Sequence, residues 1–138
     1  IPGELMKMGR PHLVPMSRQV IALLDDYFAF APREGYLFPT ATRRSKQKSP
    51  VLSPGTLRKA LMSLGDSKEV LVPHGFRVTA STFLHEMGYD HKVIEKQLAH
   101  EEKRQEVAAY NHAEYLAARR EMMQGWSDFL DKCKNGGY

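Results

Sequence analysis

The chain has 138 residues, of which 42% are hydrophobic and 26% are charged, a balance that is typical of a folded domain rather than a disordered chain. No apolar run approaches the roughly 20 residues that span a bilayer, no signal-peptide pattern is present, and the single thiol, Cys133, cannot form an internal disulfide. These features predict one domain over 1–138, in a reducing, intracellular setting with no membrane association.

Positive charge is concentrated in the middle of the chain. The net charge is +4 and the isoelectric point is about 9.2. Between Glu34 and Asp66 there is no carboxylate. The same stretch carries six cations, which are Arg43, Arg44, Lys46, Lys48, Arg58 and Lys59. A one-signed stretch of this kind suits a polyanionic partner, and a solvated loop is the alternative that the sequence leaves open.

The first predicted element is a β-hairpin or sheet edge. In ELMKMGRPHLVPMS, Met8-Gly9-Arg10-Pro11 separates two short segments, and the second contains Leu13 and Val14. The remaining segments are helical in pattern. The expected fold class is therefore mainly α with a small antiparallel β-sheet.

Two helices are predicted in the first half of the chain. Ser17 can cap a helix that stops near Pro32. Its apolar stripe is Val20, Leu23, Leu24 and Tyr27. Ser53 then places a hydroxyl before Pro54 at the first helical position, and this second helix should end at Gly65.

Three more helices are predicted in the second half. The third begins after Pro73 and is closed by Gly88, and Asp90 can cap a fourth in which Val93, Ile94 and Leu98 face inward. A long final helix runs from Ala113. Its apolar face consists of Tyr115, Ala118, Met122, Trp126, Phe129, Leu130 and Cys133.

Four side chains of types that act in catalysis follow one another along these elements. His74 and Arg77 lie at the start of the third helix, where the free amides of a first helical turn favour an anion. His100 follows at the end of the fourth helix, and Tyr110 lies ten residues later. Taken singly, a His-x-x-Arg pair is usually structural and a histidine at a helix end is usually a cap or a surface group.

The ordered set, together with Lys7 in the hairpin, resembles the catalytic domain of the tyrosine recombinases, the phage integrase family. The family pattern is a lysine in a β-hairpin, His-x-x-Arg, a histidine in a Leu-Gly-His-like motif, and a tyrosine. It is matched here by MKMGRPHLVP, HGFR, QLAH and AAYN. The sequence around these motifs is most similar to that of integrases from satellite phages and genomic islands, and the similarity covers nearly the whole chain.

This resemblance implies the C-terminal portion of the tyrosine recombinase catalytic-domain fold. The family's first catalytic arginine lies upstream of the hairpin lysine, and no arginine here matches it by motif. The arm-binding and core-binding domains of the family also have no counterpart in the chain. A fragment without the first arginine is expected to be inactive or impaired.

The resemblance also implies a mechanism, which is DNA strand cleavage through a 3′-phosphotyrosine, with neither metal nor nucleotide cofactor. Tyr110 is then the nucleophile, and His74 helps to remove its proton. Arg77 and His100 donate to the phosphate oxygens, and Lys7 protonates the leaving 5′ oxygen. A phenol of pKa near 10 is ionised to roughly one part in a thousand at pH 7, so it needs such help. Tyr115, on the apolar stripe, is interpreted as a packing residue.

Duplex DNA is the implied partner. The residues expected to contact it are Arg10, Arg43, Arg44, Lys46 and Lys48. The family acts as a homotetramer on DNA, can use accessory DNA-bending proteins, and works in the bacterial cytoplasm on the nucleoid. Two alternatives stay open, a DNA-binding module that performs no chemistry and an enzyme like a type IB topoisomerase.

A metal site is not predicted. His85-Glu86 resembles the beginning of a zinc-protease helix motif, but the next histidine is His91, six residues later, and Gly88 interrupts the helix. This spacing does not put two ligands on one helical face.

Overall fold

The computed structural model describes residues 1–6, 9–39, 51–63, 72–100 and 115–137. The prediction of a mainly helical chain is confirmed over these ranges. One 3-10 turn, Gly3–Leu5, precedes five α-helices. They are α1 (Arg18–Phe28), α2 (Pro54–Ser63), α3 (Pro73–Glu86), α4 (His91–Gln97) and α5 (Leu116–Lys134). None of these helices is long and apolar enough to cross a membrane.

The chain divides into two compact units. The first combines Ile1–Leu24 with Ala80–Tyr138, and the second is Asp25–Thr79. The first unit is therefore made from the beginning and the end of the chain.

The predicted helix caps are confirmed. Ser17, Ser53 and Asp90 each accept, through a side-chain oxygen, a hydrogen bond from the backbone amide three positions later, at 3.3, 3.2 and 3.4 Å respectively. An N-cap of this kind satisfies one of the amides that a first helical turn leaves without a partner. The carboxylate of Asp90 also accepts from the amide two positions later at 2.7 Å. Three of the helix starts are thus fixed by local chemistry.

The predicted β-hairpin is wrong for the part of it that the structure describes, which excludes Lys7 and Met8. Ile1 and His12 do exchange two backbone hydrogen bonds, at 2.7 and 2.9 Å. No strand is formed in the described residues, and the one isolated bridge lies elsewhere. Backbone amides of this segment bond carbonyls three residues earlier instead, as those of Met6 and Gly9 do, both at 2.9 Å. These turn bonds use the groups that a ladder would need.

The core of the first unit lies where α3, α4 and α5 meet. Leu84, Val93, Ile94 and Met122 are buried, the last two completely. Six partly buried side chains surround them, which are Tyr89, Leu98, Tyr115, Ala118, Met123 and Trp126. The inward positions predicted for α4 and for the first half of α5 are confirmed.

At the far end of the predicted α5 stripe, Leu130 and Cys133 are exposed. Phe129 still contributes to an aromatic cluster. Its ring centroid lies 5.5 Å from that of Trp126 and 5.2 Å from that of Phe83. The apolar face of α5 is therefore covered by its own unit as far as Phe129 and faces solvent beyond it.

Side-chain hydrogen bonds join the beginning of α1 to α5. The buried hydroxyl of Ser127 donates to Ser17 at 2.7 Å. Next to this bond, the side-chain amide of Gln19 donates to Asp128 at 2.7 Å, and that of Gln124 donates to the same carboxylate at 2.8 Å. These two amide bonds hold the pKa of Asp128 below its ordinary value.

The second unit is held together by aromatic packing and backbone contacts. The hydroxyl of Tyr27 donates to the carbonyl of Leu37 at 2.6 Å, and the ring of Tyr27 meets Phe38 edge to face at 5.8 Å between centroids. An isolated antiparallel bridge pairs Pro39 with Val51.

Candidate active site

Helix α3 carries two of the predicted site residues on successive turns. It begins at Pro73, whose ring suits the first helical position because no amide proton is lost there. His74 follows in the first turn with an exposed side chain, and Arg77 lies three positions later and is half-buried. Residues three apart on a helix share a face. The imidazole and the guanidinium thus share one face near the N-terminus of α3. There the positive end of the helix dipole favours an anion.

His100 occupies a defined position beyond the end of α4. Its amide donates to the carbonyl of Glu95 at 3.0 Å, and the amide of Ala99 donates to that of Lys96 at 3.2 Å. This pair of bonds is a Schellman motif, which normally requires a left-handed residue just after the helix. Ala99 takes that role with φ of 51°. The backbone of His100 is therefore fixed by the helix that precedes it.

The side chain of His100 is fixed by the same residue as its backbone. Its Nδ1 lies 2.8 Å from the carboxylate of Glu95. A carboxylate can only accept, so Nδ1 carries the proton. The imidazole is 46% exposed and the Glu95 side chain 31%, so much of the ring remains accessible to solvent.

A buried polar cluster supports the end of α4 from inside the first unit. Arg119, which is 3% exposed, donates from Nε to the side-chain oxygen of Gln97 at 2.8 Å and from its terminal nitrogen to the carbonyl of Leu13. The imidazole of His12 lies 3.2 Å from the backbone carbonyl of Gln97. Gln97 is held through both its backbone and its side chain, three residues before His100.

Burial and charge perturb two groups of this cluster. Burial lowers the pKa of His12 below its ordinary value of 6.5, and the positive charge of Arg119 lowers it further. Burial also lowers the pKa of Arg119, although a guanidinium stays protonated in proteins. The cluster thus favours a neutral imidazole beside a fixed cation.

The other predicted site residues divide into two groups. Arg10 is described and exposed. Six positions lie outside the described residues, which are Lys7, Arg43, Arg44, Lys46, Lys48 and Tyr110. Tyr115 is half-buried and packs against the core cluster, so its interpretation as a packing residue is confirmed. His74 and Arg77 belong to the second unit and His100 to the first.

The side chains of His85 and His91 are in contact, although the two residues are six positions apart. Nε2 of His85 lies 3.1 Å from Nδ1 of His91, and Nδ1 of His85 lies 2.7 Å from the carbonyl of Ser81. The two histidines lie on different helices, since the chain turns at Gly88, with φ of 82°, between α3 and α4. In the described part of the chain no group of three or more histidine, cysteine or carboxylate side chains is placed to hold a metal ion.

Sequence reasoning missed Glu95 and Arg119 as partners of the site. Glu95 could have been found, because a helix that ends in a Schellman motif brings the residue after its left-handed position back to the residue five before it. Arg119 gives no such signal. Its partners Gln97 and Leu13 lie 22 and 106 residues away.

The sequence model of the phage integrase family matches residues 1–116. The chain, a helical protein with a histidine and an arginine at the start of α3, therefore belongs to the phage integrase family. No solved structure matches this chain.

Curated relatives agree with this assignment. The chain is 40% identical over 137 residues to the prophage integrase IntZ of Escherichia coli K12, covering 99% of this chain and 32% of the relative. It is 40% identical over 133 residues to the integrase of enterobacteria phage P4, covering 94% and 29% respectively. The integrase of Shigella phage Sf6 is 37% identical, with 96% and 33% covered. The chain thus spans about a third of the length of these relatives.

Proposed function

We propose that this chain is the C-terminal part of the catalytic domain of a tyrosine-type site-specific DNA recombinase, which integrates or excises a mobile element. The observation that carries the proposal is the placement of His74 and Arg77 on successive turns at the start of α3, in a chain of the phage integrase family. That placement suits a phosphodiester, because guanidinium and imidazole donors then act beside the positive end of a helix.

The proposed reaction is one transesterification at phosphorus. The Tyr110 oxygen attacks, with His74 as the group that helps remove its proton, and a tyrosine–phosphorus bond forms as the bond to the 5′ oxygen breaks. Arg77 and His100 donate to the nonbridging oxygens, where negative charge builds in the transition state. Lys7 gives the departing 5′ oxygen its proton.

The product is a 3′-phosphotyrosine and a free 5′ hydroxyl. Attack by the hydroxyl of a second strand reverses the step, and the phosphodiester energy is kept in the protein link. The reaction as proposed therefore consumes neither a metal nor a nucleotide cofactor. The arginine that the family supplies from upstream of the hairpin lysine would complete the site in the complete protein.

A covalent adduct tests the function. The complete protein that contains this chain, incubated with duplex DNA carrying its attachment site, should form a protein–DNA link that survives denaturation. Tyr110→Phe should abolish the link and leave noncovalent binding intact. Tyr115→Phe is the matched control, because Tyr115 packs on the core, and loss of the adduct in that variant would overturn the assignment of the nucleophile. A DNA-binding module without chemistry would give no adduct in any variant.

A sulfur-substituted substrate tests the role of Lys7. A thiolate has a conjugate-acid pKa near 8.5 and can leave without a proton, unlike an alkoxide. In the complete protein, Lys7→Ala should cleave ordinary DNA slowly and approach the wild-type rate when sulfur replaces the 5′ bridging oxygen. Equal slowing on both substrates would return Lys7 to a phosphate contact.

Four copies on two duplexes are the proposed assembly, in the cytoplasm on nucleoid DNA, with accessory DNA-bending proteins where the attachment site needs them. The exposed end of α5 is the part of that helix which its own unit leaves uncovered, and Leu130 is 46% exposed there. Leu130→Gln should weaken tetramers of the complete protein on DNA in sedimentation, whereas Lys134→Gln on the same helix should not. Equal assembly by both variants would exclude this end of α5 from the interface.

Relaxation of supercoiled DNA without strand exchange would instead support an enzyme like a type IB topoisomerase.

A further inference from the structure

We infer that Glu95 is a positioning residue for the reaction, because it fixes both the orientation and the tautomer of His100. The inference rests on the proposed function, since it concerns how His100 acts on the phosphodiester. Glu95 is not a catalytic residue in this reading, because it reaches the substrate only through the ring of His100.

The first support is that one residue holds His100 at two independent points. The Glu95 carbonyl accepts the His100 amide at 3.0 Å, and the Glu95 carboxylate lies 2.8 Å from Nδ1 of the same residue. The backbone bond fixes the position of the His100 main chain, and the side-chain bond fixes the rotation of the ring. A ring with only the backbone bond would be free to rotate into solvent, since it is 46% exposed.

The second support is the chemistry of the pair. A carboxylate that accepts from Nδ1 leaves Nε2 as the atom that faces the substrate, as in a serine hydrolase triad. Binding of a phosphodiester oxygen at Nε2 requires a proton there, and the ring then becomes an imidazolium between two anions. The charge of Glu95 stabilises that cation. An imidazole without this partner in water favours the opposite tautomer, with the proton on Nε2 and the lone pair on Nδ1.

The third support is that the helix end which presents this pair is itself anchored. Gln97 lies between Glu95 and His100 and is held by Arg119 through its side chain and by His12 through its carbonyl. The geometry of the pair is thus maintained from the buried side of the unit, as preorganised donors require.

The tautomer of His100 is tested by nitrogen-15 NMR of the complete protein, labelled only at histidine and assigned by comparison with His100→Gln. At a pH where the ring is neutral, the wild type should show a protonated Nδ1 and an unprotonated Nε2. Glu95→Ala should move the proton mainly to Nε2. Glu95→Gln should retain it on Nδ1, because the amide oxygen still accepts. Glu86→Ala, which removes an exposed carboxylate from α3, is the matched control and should match the wild type. A wild-type ring protonated on Nε2 would overturn the inference.

The effect on the reaction is measured by single-turnover adduct formation with the same variants. Glu95→Ala should slow cleavage by about tenfold to a hundredfold, the range found when the orienting partner of a metal-bound histidine is removed, without weakening noncovalent DNA binding. Glu95→Gln should also be slowed, since it keeps the orientation of the ring but loses the charge that stabilises the imidazolium. Glu95→Ala combined with His100→Ala should be no slower than His100→Ala alone, because residues that act as one unit are not additive.

The outcomes separate the two claims. If His100→Ala slows cleavage and Glu95→Ala does not, the positioning role is wrong and the proposed function stands. If the wild-type complete protein forms no adduct with its own attachment site, the proposed function is wrong. The contact between Glu95 and His100 would still be supported in that case if Nδ1 carries the proton in the wild type and loses it in Glu95→Ala. Thermal unfolding of each variant shows whether a slower rate reflects loss of folding.

Discussion

Arg119 and Gln97 form a partly buried hydrogen bond of 2.8 Å between a guanidinium and a side-chain amide oxygen. Because Arg119 also donates to the carbonyl of Leu13, this one side chain ties together the beginning of the chain, the end of α4 and helix α5. Among the described residues no buried side-chain polar atom lacks a hydrogen-bond partner. Removing either partner of the pair would break that balance.

Arg119→Met should therefore lower the free energy of unfolding by about 2 kcal/mol or more, because the hydrogen bonds of a buried charged group are lost and the oxygen of Gln97 loses its donor. Chemical denaturation of the chain measures this. The neighbouring exposed Arg120 provides the control, and Arg120→Met should stay within about 0.5 kcal/mol of the wild type. Equal effects of the two substitutions would mean that the buried bonds contribute nothing specific.

Stability should fall in mild acid because of His12. Burial and the nearby Arg119 lower the pKa of His12 in the folded chain below its ordinary value of 6.5. The unfolded state therefore binds more protons as the pH falls, and the stability that is fully present above pH 6.5 is lost as the pH drops towards the folded pKa. Unfolding free energies measured at several pH values should show this slope in the wild type and a smaller slope in His12→Gln. His74→Gln removes an exposed imidazole and should leave the slope of the wild type in place.

Gly125 should not tolerate a side chain. A Cβ at this position of α5 would overlap the hydroxyl of Tyr89 and lie 3.3 Å from the adjacent ring carbon. Gly125→Ala should therefore be destabilising by about 1 to 3 kcal/mol, although alanine gains up to about 1 kcal/mol in helix propensity. Tyr89→Phe in the same chain should recover part of the loss, because the overlapping hydroxyl is then absent. Gly55→Ala in α2 is the control, since its Cβ would meet only a Ser53 oxygen at 3.7 Å, and it should be neutral or stabilising.

Ala99→Gly should stabilise the chain. A left-handed conformation costs a non-glycine residue about 1 to 2 kcal/mol, and Ala99 has φ of 51°. Glycine removes this cost, but its larger entropy in the unfolded chain destabilises by about 0.5 to 1 kcal/mol, so the net gain should be up to about 1.5 kcal/mol. The same replacement at the exposed Ala60, inside α2, should destabilise by about 0.5 to 1 kcal/mol. A loss of stability in Ala99→Gly would contradict the left-handed turn before His100.

Affinity for duplex DNA should depend steeply on salt. Each phosphate contact contributes about 0.9 to the slope of log K against log salt. Arg58 and Lys59 are exposed on α2 within the stretch that lacks carboxylates, so replacing both with glutamine should reduce the slope by about 2. Lys132→Gln with Lys134→Gln, at the exposed end of α5, is the charge-matched control. An unchanged slope in the α2 variant would exclude that helix from the DNA interface.

The features that the sequence predicted are those set by short-range chemistry. Ser17, Ser53 and Asp90 cap the helices that they precede because each bond spans only three residues. The hairpin was mispredicted for a related reason, since turn bonds three residues apart, such as that from Met6 to Gly3, compete with pairing across the turn. Local pattern alone does not rank these two alternatives.

The features that could not be predicted depend on residues far apart in the chain. His12 meets Gln97 across 85 residues, and no periodicity encodes that distance. The His-x-x-Arg spacing, by contrast, predicted a shared face of α3, because helical geometry fixes it. The candidate site was thus foreseen where it rests on one helix and not where it depends on how helices pack.

The bond from Ser127 to Ser17 has a consequence for the timing of folding during synthesis. The two hydroxyls are 110 residues apart, and chains grow at about 5 to 20 residues per second, so Ser17 waits roughly 5 to 20 seconds before its partner has been made. The second unit, encoded without interruption between the two parts of the first, has all its residues before α5 exists. A chain whose synthesis stops before α5 would therefore have the helix cap of its opening segment but not the surface of α5 against which that segment packs.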